Sequence, residues 1–234
     1  MDSITQIVLG AACGEAVLGK KIGNRALLFG AIGGTIPDLD VFIGKWLFNN
    51  EIDAMAFHRG FMHSFLFAIL AAVGFGMLVF WIYNRGKRFG MTTQKEWMWL
   101  FFASIFTHPI LDSFTAYGTQ LFAPFSNYRV AFNNISVADP MYTLPFLIAL
   151  IVLMCFKRTS TKRRLFLQIG LGVSSLYMVL TLVNKYNVNG VYKQSLADQK
   201  IEYLRFQTQP TILNNVLWYG TAETTEAYYV GSYS

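Results

Sequence analysis

The sequence predicts an all-α polytopic membrane bundle of about six transmembrane helices, followed by a small C-terminal β-rich extracytoplasmic appendage. Three observations predict this fold. Hydrophobic residues make up 54% of the 234 residues and charged residues only 14%, whereas about 25% charge is usual in a soluble domain. Apolar segments of near-spanning length recur along the first part of the chain, and the composition then changes. We therefore expect a transmembrane domain at 1–183 and an outer β-rich segment at 184–234.

Six segments are apolar enough to cross or nearly cross a bilayer, which takes about 20 residues in a straight helix. These segments are residues 3–19, 26–44, 61–83, 97–115, 140–156 and 165–183. The first two are rich in glycine and alanine, and small residues suit close contact between helices rather than exposure to lipid. We therefore expect these two segments to pack inside the bundle.

Lysine and arginine are concentrated in the loops after the first, third and fifth segments. Because short loops rich in lysine and arginine stay in the cytoplasm, this asymmetry places both termini on the extracytoplasmic side. The same topology explains the formal net charge of +6. The basic residues do not follow an amphipathic or aromatic-rich surface, so no nucleic-acid partner is expected.

Residues 184–234 differ in pattern from the rest of the chain. They mix polar residues with tyrosine, valine and threonine in short alternating stretches, with turn signals at Asn189–Gly190 and Pro210. This pattern is typical of short strands. We expect three or four strands that lean on the outer face of the helices, because about fifty residues rarely support a core of their own.

All three histidines and several aspartates fall at segment ends that this orientation places outside the cytoplasm. Ionisable groups at membrane depth are costly unless they are paired or ligated, so they mark functional sites. Imidazole nitrogen with carboxylate oxygen suits zinc first, with manganese or ferrous iron as alternatives. We therefore predict a divalent metal site of one or two ions. The predicted ligands are Asp38, Asp40, His58, His63, His108 and Asp112.

Simpler explanations exist for the same residues. Asp38 and Asp40 could cap a turn or helix. His108 and Asp112 are four residues apart and therefore on one helix face, where they could share a hydrogen bond. His58 and His63 could be ordinary interfacial residues. The placement of all these groups at one membrane face is what favours the metal site.

Two further residues are predicted to act in catalysis. Arg59 could neutralise a carboxylate, or it could receive an anionic substrate such as phosphate. Asp139 could act as a base or as a further ligand, although an aspartate before a proline commonly caps a helix N-terminus.

The order and spacing of these motifs resemble a bacterial family described as membrane-bound metal-dependent hydrolases, which includes the YdjM-like, LexA-regulated inner-membrane proteins. The matching pieces are Pro37-Asp38-x-Asp40, His58-Arg59-Gly60-x-x-His63-Ser64, Thr107-His108-x-x-x-Asp112 and Tyr117-Gly118. The resemblance implies a location in the bacterial inner membrane and metal binding at the six ligand positions. It implies no particular substrate.

Hydrolysis is the leading hypothesis, in which one or two metal ions lower the pKa of a water and polarise the bond under attack. A site at the outer edge of the bilayer can admit a lipid head group, so a phospholipid or lipid-linked phosphoester is the expected substrate and membrane lipids are the expected partners. A metal transporter is an alternative, but the inner halves of the segments contain almost no ionisable residues. A regulator or scaffold with a structural metal is the third hypothesis.

Overall fold

The computed structural model describes residues 1–234, apart from the side chain of Ala56. The helices are α1 (Ser3–Ile22), α2 (Asn24–Thr35), α3 (Asp40–Leu47), α4 (Glu51–Phe57), α5 (Phe65–Tyr83), α6 (Gln94–Ser113), α7 (Pro140–Met154) and α8 (Thr161–Asp198). Short 3-10 helices occur at Pro37–Leu39, Phe61–His63 and Gly86–Arg88. The strands are β1 (Arg205–Pro210), β2 (Trp218–Glu223) and β3 (Tyr228–Tyr233).

The predicted bundle of six transmembrane helices is wrong. Within the described residues, two helices, α5 and α8, are long and apolar enough to cross a membrane. A third span exists only if α2 and the segment Pro37–Leu47, which meet at a bend of 43°, count as one broken span. Helix α7 has 15 residues, a length of about 22 Å, and the hydrocarbon core is about 30 Å thick.

Helices α1 and α6 are long enough but too polar to qualify as spans. Helix α1 buries Gln6 and Glu15, and α6 buries His108 and Asp112. Both helices lie against other helices, so their polar groups meet protein rather than lipid. An apolar segment that packs against other helices looks like a span in sequence, and this explains the overestimate.

Glycines bring the backbones of α1 and α2 almost into contact. Gly10 and Gly14 on α1 face Gly30 and Gly34 on α2, and a Cβ atom built on Gly30 would lie 2.2 Å from the Gly10 carbonyl oxygen. Such an approach is open only to residues without a side chain. The small residues of the first two predicted segments therefore serve this contact.

The apolar core lies on both sides of α1. One cluster packs residues of α1 against α7 and α8, with Phe146 and Leu153 fully buried. The other packs α1 and α2 against α5 and α6, with Trp97 and Leu100 fully buried. Helix α1 therefore occupies the centre of the structure.

A buried ion pair joins α8 to α1 at the end away from the histidines. Arg163 Nε lies 2.8 Å from Glu15 Oε1, and Arg163 Nη2 lies 2.6 Å from Glu15 Oε2. Arg163 Nη1 also donates to Asn24 Oδ1 at 2.8 Å. These bonds satisfy both buried charges, which is required for such a pair to be tolerated.

The C-terminal β structure that the sequence predicts is an antiparallel sheet in the order β1-β2-β3. It starts later than expected, because α8 continues past Val183 to Asp198. Asn189–Gly190, predicted as a turn, lies inside this helix. Lys185 of α8 donates to Thr208 Oγ1 at 2.7 Å and so ties the helix to the sheet. The division into two domains at residue 183 stays a prediction.

Gly30→Ala is expected to destabilise the protein by about 1–3 kcal/mol, because the added methyl group overpacks the contact between α1 and α2. Gly172→Ala on α8 is the matched control, since nothing lies within 4 Å of a Cβ atom built there. Thermal unfolding in detergent would give a lower midpoint for Gly30→Ala and an unchanged or higher one for the control. Equal midpoints for wild type and Gly30→Ala would contradict the close packing.

Candidate metal centre

Four side chains of residue types that commonly bind metal ions meet at one end of the helices. They come from three separate segments of the chain. Asp38 lies in the 3-10 turn that follows α2, where Pro37 lacks the N–H that a continuing helix would use. His63 lies in the 3-10 turn that precedes α5. His108 and Asp112 lie one turn apart on α6 and share a face. We call these four residues the His–Asp cage.

The ligand atoms of the His–Asp cage are close together. The Nε2 atoms of His63 and His108 lie 3.1 Å apart. Asp38 Oδ1 lies 3.5 Å from the first nitrogen and 3.4 Å from the second. Asp112 Oδ2 lies 3.7 Å and 3.9 Å from the same nitrogens. Four ligands held about 2.0–2.1 Å from a tetrahedral ion lie about 3.3–3.4 Å from one another, so this spacing is close to that of a zinc site.

Hydrogen bonding around the cage leaves ligand atoms available. His108 Nδ1 lies 2.6 Å from the Gly34 carbonyl oxygen; a carbonyl only accepts, so Nδ1 carries the proton and, in the neutral ring, Nε2 keeps a lone pair. Asp112 Oδ2 is buried without an aligned donor among the described residues, although Arg59 Nε lies 3.0 Å away. A buried carboxylate oxygen without a donor is costly. The cage could hold a divalent ion, which would satisfy this oxygen.

Asp112 is also fixed by groups that the sequence analysis missed. Gln6 Nε2 donates to Asp112 Oδ1 at 2.8 Å, and the N-terminal amino group of Met1 pairs with the same oxygen. Gln6 is 1% exposed within α1. An amide within an apolar segment is a sequence signal that could have identified this residue, because such groups usually bond across helices.

A second group, formed by Asp40, His58 and His63, shares His63 with the cage. Asp40 Oδ1 lies 2.7 Å from His58 Nδ1, and Asp40 Oδ2 lies 3.0 Å from His63 Nδ1. The first distance is that of a strong hydrogen bond and is shorter than the edge of a tetrahedral site. Asp40 therefore lies between two imidazoles, as carboxylates behind metal-binding histidines commonly do.

Arg59 lies between the His–Asp cage and a cavity of about 720 Å³. Its Nη1 donates to Thr115 Oγ1 at 2.9 Å, and its backbone N–H donates to Asp40 Oδ2 at 3.0 Å. Its φ angle is 63°, a left-handed conformation that costs about 1–3 kcal/mol in a non-glycine residue. The position next to both a carboxylate and a cavity allows either role that the sequence predicts for Arg59.

Arg129 is a second arginine at this cavity, and the sequence analysis did not single it out. It lies in the irregular segment between α6 and α7, where no periodic pattern marks it. Its Nη2 donates to the His58 carbonyl oxygen at 3.1 Å. Burial, and then the nearby charge of Arg59, lower the pKa of Arg129 below its ordinary value. The cavity wall therefore holds two neighbouring guanidinium groups.

Asp139 belongs to neither the cage nor the second group. It caps the N-terminus of α7, where its Oδ1 accepts from the Met141 N–H at 3.0 Å. Its Oδ2 accepts from the Tyr177 hydroxyl at 2.8 Å. Burial raises the pKa of Asp139 above its ordinary value. These contacts correspond to the capping role that the sequence offered as the alternative; a catalytic role stays a prediction.

Comparison with known proteins confirms the resemblance found in the motifs. Residues 1–188 match the family described as YdjM inner membrane protein. A Bacillus subtilis (strain 168) relative, "Uncharacterized protein YfhP", is 26% identical over 242 residues, which cover 99% of this chain and 68% of that protein. Inner membrane protein YbcI of Escherichia coli (strain K12) is 30% identical over 155 residues, covering 61% of this chain and 82% of the relative. No solved structure matches the chain.

Gln6→Leu is expected to weaken divalent metal binding by about 10- to 100-fold, because Asp112 loses a hydrogen bond that orients it. Competition with a chromophoric zinc chelator measures the affinity of the detergent-purified protein. The same substitution at Gln168, an exposed residue of α8, is the control and leaves the affinity unchanged. A Gln6→Leu protein that binds zinc as tightly as wild type would exclude this orienting role.

Proposed function

We propose that this chain, which belongs to the YdjM inner membrane protein family, is a metal-dependent hydrolase of the bacterial inner membrane. One observation carries the proposal. Two imidazole nitrogens and two carboxylate oxygens lie within 4.8 Å of one another, and three of the four side chains are at most 1% exposed. Arg59 and the Met1 amino group offset the charge of Asp112, and a divalent ion among the four ligand atoms would also neutralise Asp38 and bind both imidazole nitrogens.

In this proposal the His–Asp cage would hold the ion, with zinc the best fit to the mixed nitrogen and oxygen set. When bound, a divalent ion supplies Lewis-acid polarisation of a substrate oxygen and makes a nearby water more acidic. The Gly34 carbonyl sets the orientation of the His108 ring. Gln6 and Arg59 hold the Asp112 carboxylate in place.

We assign His58 a proton-transfer role rather than the ligand role expected from sequence. Its side chain is 29% exposed, while that of Asp40 is 1% exposed, and His58 lines the cavity. The hydrogen bond from His58 Nδ1 to Asp40 Oδ1 at 2.7 Å leaves Nε2 as the acceptor of the neutral ring. An imidazole held by a carboxylate can take a proton from water and return it to a leaving oxygen.

The proposed substrate is a phospholipid or lipid-linked phosphoester. Its hydrolysis breaks one P–O bond, joins the water oxygen to phosphorus, and transfers a proton to the leaving oxygen. A location in the inner membrane supports a lipid substrate, and the arginine between the cage and the cavity supports a phosphate group.

A structural metal site is the second candidate, and the number of ligands favours it. Four protein ligands close a tetrahedral zinc site, whereas catalytic zinc usually keeps three and leaves a position for water. Asp38 is the most accessible of the four, with 24% of its side chain exposed. An exchange of Asp38 for water would convert the closed arrangement into an open one.

Elemental analysis and a hydrolysis assay on a panel of phosphoester lipids test the proposal together. Wild type is expected to hold one ion per chain and to release product. His108→Ala is expected to lose both properties. His58→Gln is expected to keep the ion and to lose about 10²- to 10⁴-fold in rate, the usual contribution of a general acid or base.

The outcomes separate the candidates. Metal in wild type without hydrolysis of any lipid in the panel would support the structural site. Undiminished hydrolysis by His108→Ala would remove the His–Asp cage from the reaction. Loss of metal from His58→Gln would return His58 to the ligand role predicted from sequence.

A further inference from the structure

The cavity beside the His–Asp cage has a wall made by three parts of the chain. Helices α3 and α4 contribute Lys45, Glu51 and Met55, and the irregular segment between α6 and α7 contributes Arg129. Arg59 belongs to both the cavity wall and the surroundings of Asp112. The volume of about 720 Å³ lies in the range of small-molecule sites, about 300–1,000 Å³. A molecule in the cavity would therefore adjoin the cage directly.

The charge of the cavity wall is positive. Among the residues that line it, Lys45, Arg59 and Arg129 are cationic and Glu51 is acidic. Arg59 Nε and Nη1 face Asp112 and Thr115, and the guanidinium carbon lies 5.2 Å from the centre of the Tyr117 ring, which also lines the cavity. Guanidinium groups favour phosphate because their donors match its oxygens. A head group with an ammonium group of its own would meet repulsion from the same three cations.

The two helices that border the cavity are apolar on the outside. Phe42 and Trp46 of α3 are 72% and 85% exposed, and Ile52 and Met55 of α4 are 73% and 68% exposed. Met55 also lines the cavity, so the apolar surface continues into the cationic wall. In an inner membrane protein, exposed aromatic and aliphatic side chains of this kind suit contact with lipid.

We propose that this cavity binds the phosphate group of an anionic phosphomonoester or diphosphate lipid that lacks an ammonium group. Arg59 and Arg129 bind the phosphate, Lys45 covers it from α3, and the apolar surface of α3 and α4 holds the hydrocarbon chain. This inference rests on the proposed function in that it names the substrate class of the same site. It assigns a head-group role to Lys45 and Arg129, which the hydrolytic proposal does not use.

Isothermal titration calorimetry on the full chain in detergent micelles tests this binding without catalysis. The probe is the phosphonate analogue of dioctanoyl phosphatidate, in which a methylene group replaces the ester oxygen. The comparison ligands are dioctanoyl phosphatidylethanolamine and inorganic phosphate. The phosphonate is expected to bind at least about tenfold more tightly than either, since one lost charged hydrogen bond already corresponds to that factor.

Substitutions of the basic residues show which of them bind the phosphonate. Arg129→Gln is expected to weaken binding of the phosphonate about tenfold or more. Lys45 is exposed on α3, so Lys45→Gln leaves folding intact and is expected to weaken binding about threefold, the scale of an exposed charge pair. Lys95→Gln is the matched control, because Lys95 is an exposed lysine at the opposite end of α6 from His108. The affinity of the Lys95→Gln protein for the phosphonate is expected to equal that of wild type.

Three results would overturn the inference: equal affinity for phosphatidylethanolamine, equal affinity for inorganic phosphate, or wild-type affinity in both Arg129→Gln and Lys45→Gln. The binding assay and the hydrolysis assay fail independently. If the lipid is bound selectively but nothing is hydrolysed, the head-group site stands and the hydrolase proposal falls. If hydrolysis depends on His108 but binding is unselective, the proposed substrate class is wrong and the hydrolase proposal remains.

Discussion

Buried carboxylates at one end of the helices impose the constraint on which the rest of this structure depends. Asp40 and Asp112 are almost fully buried, and a carboxylate is stable there only beside groups that offset its charge. The protein supplies Arg59 to both, through the backbone N–H to Asp40 and through the guanidinium to Asp112. Two facing imidazole nitrogens complete the arrangement. The His–Asp cage could hold a divalent ion, which would satisfy Asp112 Oδ2 and the facing imidazole nitrogens.

The glycine contact between α1 and α2 places two of the groups that orient this site. Gly34 of α2 faces Gly10 of α1, and its carbonyl oxygen accepts from His108 Nδ1 of α6 at 2.6 Å. Helix α1 carries Gln6 to Asp112. The glycines that bring α1 and α2 together therefore lie beside the groups that orient a histidine and an aspartate on α6. Packing and site geometry depend on each other here.

The sequence predicted the convergence of the histidines and aspartates because each lies near the end of an apolar segment. It could not separate Asp139 from the others, since a capping aspartate and a ligand look alike before a proline. No sequence pattern marked Arg129, because the irregular segment in which it lies has neither the helical nor the strand periodicity. The count of spans failed for a related reason: a helix that packs against protein, as α1 does, can be apolar in part without facing lipid. Helix α8 ran past Gly190 because an isolated glycine costs a helix only about 1 kcal/mol.

X-ray absorption at the zinc edge of zinc-loaded protein tests the central claim most directly, because it reports the atoms around the ion. Nitrogen and oxygen neighbours at about 2.0–2.1 Å with the outer-shell scattering of two imidazole rings are expected, and His108→Ala is expected to retain no zinc. A single ring in wild type, or sulfur at about 2.3 Å, would contradict a site built from His63, His108, Asp38 and Asp112.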